Sequence, residues 1–449
     1  MSHTVSKIAL ICLLVLKSAC AQTPITTTVS ALTDNNTSAS DKFPGTFNGN
    51  ATPGNISSLP ITSLLSTGNK TRYIAHLVPF FSLDCGAGAE RCHGHYNVGY
   101  DQSDPTQVAR QVADMYRRGF TVVLQDWYGQ DHSEKKHNDE TAKLIMHEAE
   151  RIQRTGTTFN FVMQPDHGIV DQCPDAACNT ARLIEALKYQ YTTYESSPAY
   201  LRWYGRPVVP FFWNDTRNPV DWEAVKQQVP GNPLFIFQNS VGFSHPASGG
   251  SFSWVGHMKQ PGPDLGYLDS FYQAGAKAKE QLTIGSAYAG FDDRLAYWGL
   301  KRIVVQRCGL TWLDSMRESL MYLRESGTPL PFLQIVTWND YEEGTALEVG
   351  ISNCVSEIPM HFEGSKLFWK VNFGKDKDGY SGSEDTIAYF RIFVQTEGEN
   401  LQELKSISAK DKHELDITPF HLKSGKKVYI QAVGKTMIQN HLSVPVSVP

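Results

Sequence analysis

The stretch Phe120-Thr121-Val122-Val123-Leu124-Gln125, followed by Asp126-Trp127, has the composition of a short buried strand with a polar end. An apolar run of this length is typical of strands that are covered on both faces in a parallel sheet. Upstream, Asp104-Pro105 predicts a helix that continues to about Arg118, because Asp favours the N-cap and Pro the first helical turn.

The same alternation of strand and helix continues along residues 72–360. Further strands are predicted at 73–78, 159–163, 207–212, 234–237, 283–288 and 332–337, with helices at 139–154 and 180–194. Short apolar strands that alternate with helices indicate a parallel sheet covered by helices. The length fits a (β/α)8 TIM barrel, which needs about 250 residues. A doubly wound open sheet is disfavoured because no G-x-G-x-x-G or P-loop pattern follows a strand.

Polar and aromatic residues follow the predicted strands, at the face where a barrel holds its active site. From this placement we predict that they bind substrate: Asp126, Trp127, Asp166, His167, Trp213, Asn239, Tyr288 and Asp292. Arg307 and Trp312 are further candidates for the cleft, although a loop held by a disulfide would also explain their neighbour Cys308.

The segment from Val336 to Thr345 places three carboxylates directly after the last predicted strand. A glycosidase needs one carboxylic acid to protonate the leaving oxygen and a second carboxylate as base or nucleophile. Asp340 and Glu343 could form this pair, and Glu342 is expected on the solvated surface. The competing interpretation is that these acids cap the N–H groups of a following helix.

This segment resembles the catalytic loops of glycoside hydrolase families 71 and 99. Family 71 enzymes, which are α-1,3-glucanases, have a W-N-D-Y-x-E string that Trp338 to Glu343 match. Family 99 enzymes, which are endo-α-1,2-mannosidases and mannanases, have N-E-W-x-E-G-T. Residues 339–345 match that string with Asp340 and Tyr341 in place of Glu and Trp. Residues 200–208 also resemble the stretch before a central strand in both families.

The resemblance implies a (β/α)8 fold with Glu343 as general acid and Asp340 as partner carboxylate. In family 71 the partner would be the base of an inverting reaction. In family 99 it would assist the substrate's own 2-hydroxyl in a retaining reaction, and Asp in place of Glu shortens its reach by one methylene. Trp338, Asn339 and Tyr341 are expected to contact substrate, and neither metal nor another cofactor is required.

The N-terminal residues indicate export. Residues 1–21 have the n-region, apolar core and Ala19-Cys20-Ala21 end of a signal peptide, and we expect a secreted protein. A lipid anchor on Cys20 is the alternative, although Lys17 is unfavourable in a lipobox. Residues 22–70 are rich in Ser, Thr and Asn and are expected to form a disordered linker.

The remaining cysteines fit disulfides in an oxidising compartment. Sequence proximity pairs Cys85 with Cys92 and Cys173 with Cys178, which leaves Cys308 for Cys354. Zinc binding by Cys92 with His93 and His95 is the alternative, but this spacing matches no structural zinc pattern.

The last part of the chain has the alternating pattern of β-strands. We place the catalytic domain at residues 71–362 and a small immunoglobulin-like sandwich, which resembles a fibronectin type III module, at residues 365–449. Trp369 and Tyr389 are expected in its core.

Composition limits the partners. With 41 Lys and Arg against 46 Asp and Glu, the chain lacks the basic charge that nucleic acids require. No later apolar run reaches the length of a membrane span, about 20 residues, and we expect a monomer.

The sequence therefore predicts a secreted glycosidase that cleaves an α-glucan or α-mannan. The alternative is a carbohydrate-binding or surface-attachment protein on the same barrel, which the retention of both carboxylates disfavours. A peptidase or esterase is disfavoured because neither G-x-S-x-G nor H-E-x-x-H occurs.

Overall fold

A computed structural model of the protein describes residues 55–65, 67, 70–83, 98–132, 136–256, 265–294, 296 and 298–449. The predicted signal peptide, most of the predicted linker and the expected Cys85–Cys92 pair lie outside these residues.

A large curled sheet dominates the first part of the described chain. Its strands and the small hairpin beside it are β1 (Arg72–Leu77), β2 (Val122–Trp127), β3 (Asn160–Pro165), β4 (Arg202–Trp203), β5 (Arg206–Pro210), β6 (Leu234–Gln238), β7 (Gly250–Phe252), β8 (Leu282–Ala287), β9 (Phe291–Asp292), β10 (Ile303–Val304) and β11 (Phe332–Ile335). The nine-stranded sheet has the order β3-β2-β1-β11-β8-β7-β6-β5-β4, and β9 pairs with β10.

The sheet is TIM-barrel-like. All neighbouring strands in it are parallel except β4 and β5, which are antiparallel. Two isolated parallel bridges, Phe161 with Tyr200 and Asp166 with Phe212, connect β3 to the residues that flank β4 and β5 at the other end of the sheet. The carboxyl ends of the parallel strands therefore converge on one face.

Helices cover the outside of the sheet. They are α1 (Pro105–Arg117), α2 (Thr141–Gln153), α3 (Ala176–Gln190), α4 (Trp222–Gln228), α5 (Gly266–Lys277), α6 (Leu310–Glu318) and α7 (Leu320–Ser326). The first begins where the sequence predicts, because the Asp104 carboxylate accepts a hydrogen bond from the Thr106 N–H at 2.7 Å. α3 begins four residues earlier than predicted, since Asp175 caps it by accepting from the Cys178 N–H.

Strand β7 and its connection depart from the predicted alternation. A short 3-10 turn, Ser240–Ser244, occupies the connection between β6 and β7 instead of an α-helix. The three residues of β7 are too few to produce a recognisable apolar run, and the strand is therefore not predicted from the sequence. In the described ranges, no helix has the length and apolar character of a membrane span.

Part of the predicted linker packs on the barrel. Ile56, Ile61 and Leu65 are buried, and the Ile61 N–H donates to the carbonyl of Arg118 at 2.8 Å. The difference from the expected disordered linker has a simple cause, since these aliphatic side chains give residues 55–65 apolar surface to bury.

The last part of the described chain is all β. Its strands are β12 (Val355–Glu357), β13 (Met360–Glu363), β14 (Lys366–Trp369), β15 (Asn372–Phe373), β16 (Ile387–Gln395), β17 (Leu401–Ser408), β18 (Glu414–Asp416), β19 (Lys427–Gly434), β20 (His441–Leu442) and β21 (Val446–Ser447). They form three small sheets around a core that includes Trp369 and Phe390, whereas Tyr389 is half-buried.

Two disulfides are present in the described residues. Cys173 pairs with Cys178 and Cys308 pairs with Cys354, with Cα–Cα distances of 5.4 and 5.5 Å. These are the two pairings expected from the sequence for these four cysteines. The second one connects the segment before α6 to the segment before β12.

Candidate active site

A cleft of about 680 Å³ opens at the carboxyl ends of the barrel strands. Side chains from the ends of seven strands line it directly, and the connection between β9 and β10 supplies others. They include His76, Asp126, Gln164, Asp166, Phe212, Gln238, Asn239, Trp254, Arg302, Asp340 and Glu343. This is the size and location expected of a small-molecule site in such a fold.

The loop from Thr337 to Thr345 is closed by its own hydrogen bonds. The Asp340 N–H donates to Thr337 Oγ1 at 2.8 Å, and the Thr345 N–H donates to the Asp340 carbonyl at 3.0 Å. The Glu343 N–H donates to Asp340 Oδ1 at 2.9 Å. One tight turn therefore holds Asp340 and Glu343, and both side chains line the cleft.

Both carboxyls of this turn have raised pKa values. Burial raises the pKa of Asp340 to about 7, and the negative charge of Glu342 adds to the increase, against the hydrogen bond from the Glu343 N–H. Burial, followed by the charge of Asp340, raises the pKa of Glu343 well above its ordinary value, although Arg302 opposes this. Glu343 is therefore the carboxyl that keeps its proton at neutral pH, and Asp340 is the more readily ionised.

A third carboxyl, Asp126 at the end of β2, lies beside this pair. Burial and the charge of Asp166 raise its pKa well above the ordinary value, and Asp340 contributes further. A hydrogen bond from the Tyr128 side chain has the opposite effect. The cleft therefore holds titratable carboxyls in a shared electrostatic environment, which is a common property of catalytic sites.

Asp166 and His167 form a polar pair at the end of β3. The Asp166 carboxylate accepts from the Gly168 N–H at 2.8 Å and lies 3.1 Å from His167 Nδ1. The hydrogen bond to Asp166 raises the pKa of His167. Both side chains line the cleft, and so do Asp126 and Asn239, which we also predicted to bind substrate.

Arg302 is held in the cleft by a buried neighbour. Asp293 is fully buried and accepts from Arg302 Nε at 2.7 Å, from the Arg302 N–H at 2.6 Å and from the Leu300 N–H at 3.0 Å. These bonds close the connection between β9 and β10, from which Arg302, Leu300 and Trp298 line the cleft.

Other walls of the cleft combine aromatic faces with unpaired polar groups. Between ring centroids, His76 lies 4.8 Å from Trp254, and Phe212 lies 5.2 Å from the same tryptophan. Neither amide atom of Gln164 has a hydrogen-bond partner within the described part of the chain. Flat apolar faces beside unsatisfied donors and acceptors suit a sugar, which has both kinds of surface.

Several residues that we predicted to bind substrate do not line the cleft. They are Trp127, Trp213, Tyr288, Asp292, Trp338, Asn339 and Tyr341. In a strand, successive side chains point to opposite faces, so that Asp126 faces the cleft while Trp127 packs against Tyr189 of α3. Trp213 packs on Trp222, and Tyr288 and Trp338 are fully buried.

The polar members of this group have other partners. Asp292 contacts Arg294 at 2.7 Å and Lys377 at 3.0 Å. The Asn339 amide exchanges two hydrogen bonds of 2.9 Å with the backbone of Val78 and so extends the ladder between β1 and β11. The Tyr341 hydroxyl donates to Glu348 at 2.6 Å. Asn339 and Tyr341 therefore hold the turn that carries Asp340 and Glu343.

Three further expectations need correction. Glu342 is buried rather than on the solvated surface. Arg307 forms an ion pair with Asp314 outside the cleft, and Trp312 is fully buried with its Nε1 donating to the Thr436 carbonyl at 2.9 Å.

Other residues of the cleft were not among those predicted to bind substrate. Tyr128, Gln164 and Gln238 are next or close to predicted residues, and the carboxyl ends of strands are a signal that would have included them. Trp254 follows the unrecognised strand β7, and Arg302 depends on the fold of the connection around Asp293. In the part of the chain that the structure describes, no cluster of His, Cys, Asp or Glu is arranged to hold a metal ion.

Fold and site together define a TIM-barrel-like protein with a carboxylate-containing cleft. No protein-family model matches the sequence, and no curated protein matches it. Two solved structures of the GH99 endo-α-mannosidase of Bacteroides thetaiotaomicron are similar to this chain, each with a TM-score of 0.46 and 17% sequence identity. The similar region covers 62% of this chain, 86% of the chain in the first structure and 87% of the chain in the second. A β-glucuronidase of Bacteroides uniformis is similar with a TM-score of 0.41 and 8% identity, over 84% of this chain and 46% of that one. The assignment of function depends on the chemistry of the site.

Proposed function

We propose that the protein is a glycoside hydrolase in which Glu343 and Asp340 carry the reaction. The observation that supports this most is that one hydrogen-bonded turn holds both carboxyls in a cleft at the carboxyl ends of the strands, with raised pKa values. Cleavage of a glycosidic bond needs a protonated and an ionised carboxyl at the same place.

The two carboxyls have different roles in this proposal. Glu343 keeps its proton at neutral pH and donates it to the oxygen of the leaving sugar. Asp340 ionises first and accepts a proton, either from the attacking water or from the substrate's own 2-hydroxyl. The charge that remains on Asp340 helps Glu343 to stay protonated until the bond breaks.

The proposed substrate is an extracellular polysaccharide with α-linkages, of the α-1,3-glucan or α-mannan type. The resemblance of residues 338–345 to families 71 and 99 is the basis for the α-linkage. The aromatic walls and the uncharged amides of Gln164, Gln238 and Asn239 favour neutral sugars. The same proposal includes secretion after cleavage of residues 1–21. It also includes a (β/α)8 domain at 71–362, followed by an immunoglobulin-like sandwich at 365–449.

The proposal is tested by measuring the reducing sugar that the purified mature protein releases from α-1,3-glucan, α-mannan and unrelated β-glucans. We expect release from an α-linked member of the panel and its loss in Glu343→Gln, with an unchanged circular dichroism spectrum. Glu342→Gln is the matched control, because this neighbouring carboxyl is buried against a different cavity. It should keep most of the activity, while the acid-side midpoint of its kcat/KM profile moves below that of the wild type, because the charge of Glu342 contributes to the raised pKa of Asp340.

Two results would contradict the proposal. The first is release that persists in Glu343→Gln. The second is the absence of release from every polysaccharide while the protein still retains one of them, which would identify a carbohydrate-binding protein instead.

A further inference from the structure

A smaller pocket of about 200 Å³ lies beside the cleft, between the segments that follow β2 and β3. Its walls include Gln130, His132 and Gln172, the Cys173–Cys178 disulfide, and Arg182 of α3. None of the chemistry proposed above uses this pocket.

The pocket and the cleft share two wall residues, Tyr128 and Asp171. Tyr128 forms the partition between them. Its ring packs on Gly168 so closely that a Cβ at this glycine would lie 2.8 Å from Tyr128 Cδ1. Phe80 stacks parallel to Tyr128 with a centroid distance of 6.3 Å, and the hydrogen bond to Asp126 also restrains the ring. The pocket therefore lies next to the cleft and shares Tyr128 as a wall with it.

The walls of the pocket suit an uncharged polyhydroxy ligand. Gln130 Oε1 is buried without a hydrogen-bond partner in the residues described, while its Nε2 donates to Asp131 at 3.2 Å. Arg182 is 4.0 Å from Asp131 and 3.9 Å from Glu185, so acidic side chains flank its charge. With Asp171 on the remaining side, the pocket disfavours anionic ligands such as uronic acids.

We propose that this pocket is an additional subsite that binds a neutral sugar residue of the substrate beyond those held in the main cleft. The inference rests on the proposed glycoside hydrolase function. The disulfide and the Asp175 cap of α3 hold the outer wall in place, so that the subsite is formed before substrate binds.

Steady-state kinetics on oligosaccharides of three and six sugars tests this, with oligosaccharides prepared from the polysaccharide that the wild type hydrolyses. Gln130→Ala with Arg182→Ala removes polar groups of the pocket, and Gln172→Trp fills it from an exposed position. Lys188→Ala, on the same helix as Arg182 but away from this pocket, is the matched control.

We expect both pocket variants to raise KM for the hexasaccharide about tenfold, as expected for the loss of one or two sugar hydrogen bonds, and to leave kcat nearly unchanged. KM for the trisaccharide and all constants of the control should remain those of the wild type. Equal KM changes for both lengths, or no change for either, would overturn the subsite while leaving the hydrolase proposal in place. A wild type that hydrolyses nothing would overturn both.

Discussion

At the scale of single residues, one buried turn holds the two carboxyls of the proposed reaction. Asp340 is only 6% exposed, and its carboxylate accepts the N–H of Glu343, the residue whose proton it helps to retain. The spacing of Asp340 and Glu343 was visible in the sequence. The contribution of Asp126 and the burial that raises all three pKa values depend on contacts between distant segments, which no local pattern contains.

Asp340→Asn should make the protein more stable at high pH. The pKa of this carboxyl is about 7 in the folded protein against an ordinary value of 3.8. Between these values the folded state binds a proton that the unfolded state has released, and stability therefore falls as pH rises through this window. We expect the variant to gain up to about 4 kcal/mol at pH 8 and little at pH 4.

Denaturant unfolding of both proteins at the two pH values measures this effect. The Asn side chain can still accept the Glu343 N–H through its amide oxygen, so the turn should persist. An equal change in stability at pH 4 and pH 8 would show that Asp340 has no raised pKa.

The same titration should appear in the reaction. Asp340 must be ionised to accept a proton, so kcat/KM of the wild type should rise with pH to a midpoint of about 7 on its acid side. A pH profile of kcat/KM for the hydrolysed polysaccharide measures the midpoint. Activity that is already maximal at pH 4 would contradict the role of Asp340.

The strand residues show which site predictions a sequence can support. Placement at the carboxyl end of a strand selected Asp126, Asp166, His167 and Asn239, which line the cleft. It could not distinguish Asp126 from Trp127, because adjacent residues point to opposite faces and the face depends on where the strand begins.

At the scale of elements, the connection between β9 and β10 positions the cationic side of the cleft. Asp293→Asn should lower the free energy of unfolding by about 3 kcal/mol, because it removes one partner of a buried ion pair with Arg302. Asp292→Asn is the neighbouring control and should cost less than about 1 kcal/mol, since its ion pairs are more exposed. Thermal unfolding of the two variants measures the difference, and equal losses would show that Asp293 does not organise the connection.

The elements themselves were predictable where the signals were strong. The Asp-Pro cap located α1, and apolar runs located β1, β2, β3, β5, β6, β8 and β11. The 3-10 connection before β7 was not predictable from periodicity, because both the strand and its connection are too short to show a period.

At the scale of the whole molecule, the all-β part packs directly against the barrel. Trp312 of α6 donates to the carbonyl of Thr436, and the Ile351 N–H donates to the carbonyl of Met437 at 2.8 Å. The Cys308–Cys354 disulfide lies in the same region.

Removal of this disulfide should destabilise the protein more than removal of Cys173–Cys178. The two bridges close loops with sequence separations of 46 and 5 residues. In the chain-entropy description, these loops correspond to about 4 and about 2 kcal/mol. Denaturant unfolding of the two double Cys→Ser variants compares them, and a larger loss for the short loop would contradict the expected order.

A comparison of two leaving groups in Glu343→Gln tests whether Glu343 is the proton donor. A polysaccharide needs an acid to protonate its leaving oxygen. In a glycosyl fluoride of the same sugar, the fluoride ion leaves without protonation by an acid. If Glu343 is the acid, the variant should lose about a thousandfold or more in kcat on the polysaccharide but stay within about tenfold of the wild type on the fluoride. An equal loss on both substrates would contradict the assignment of Glu343 as the proton donor.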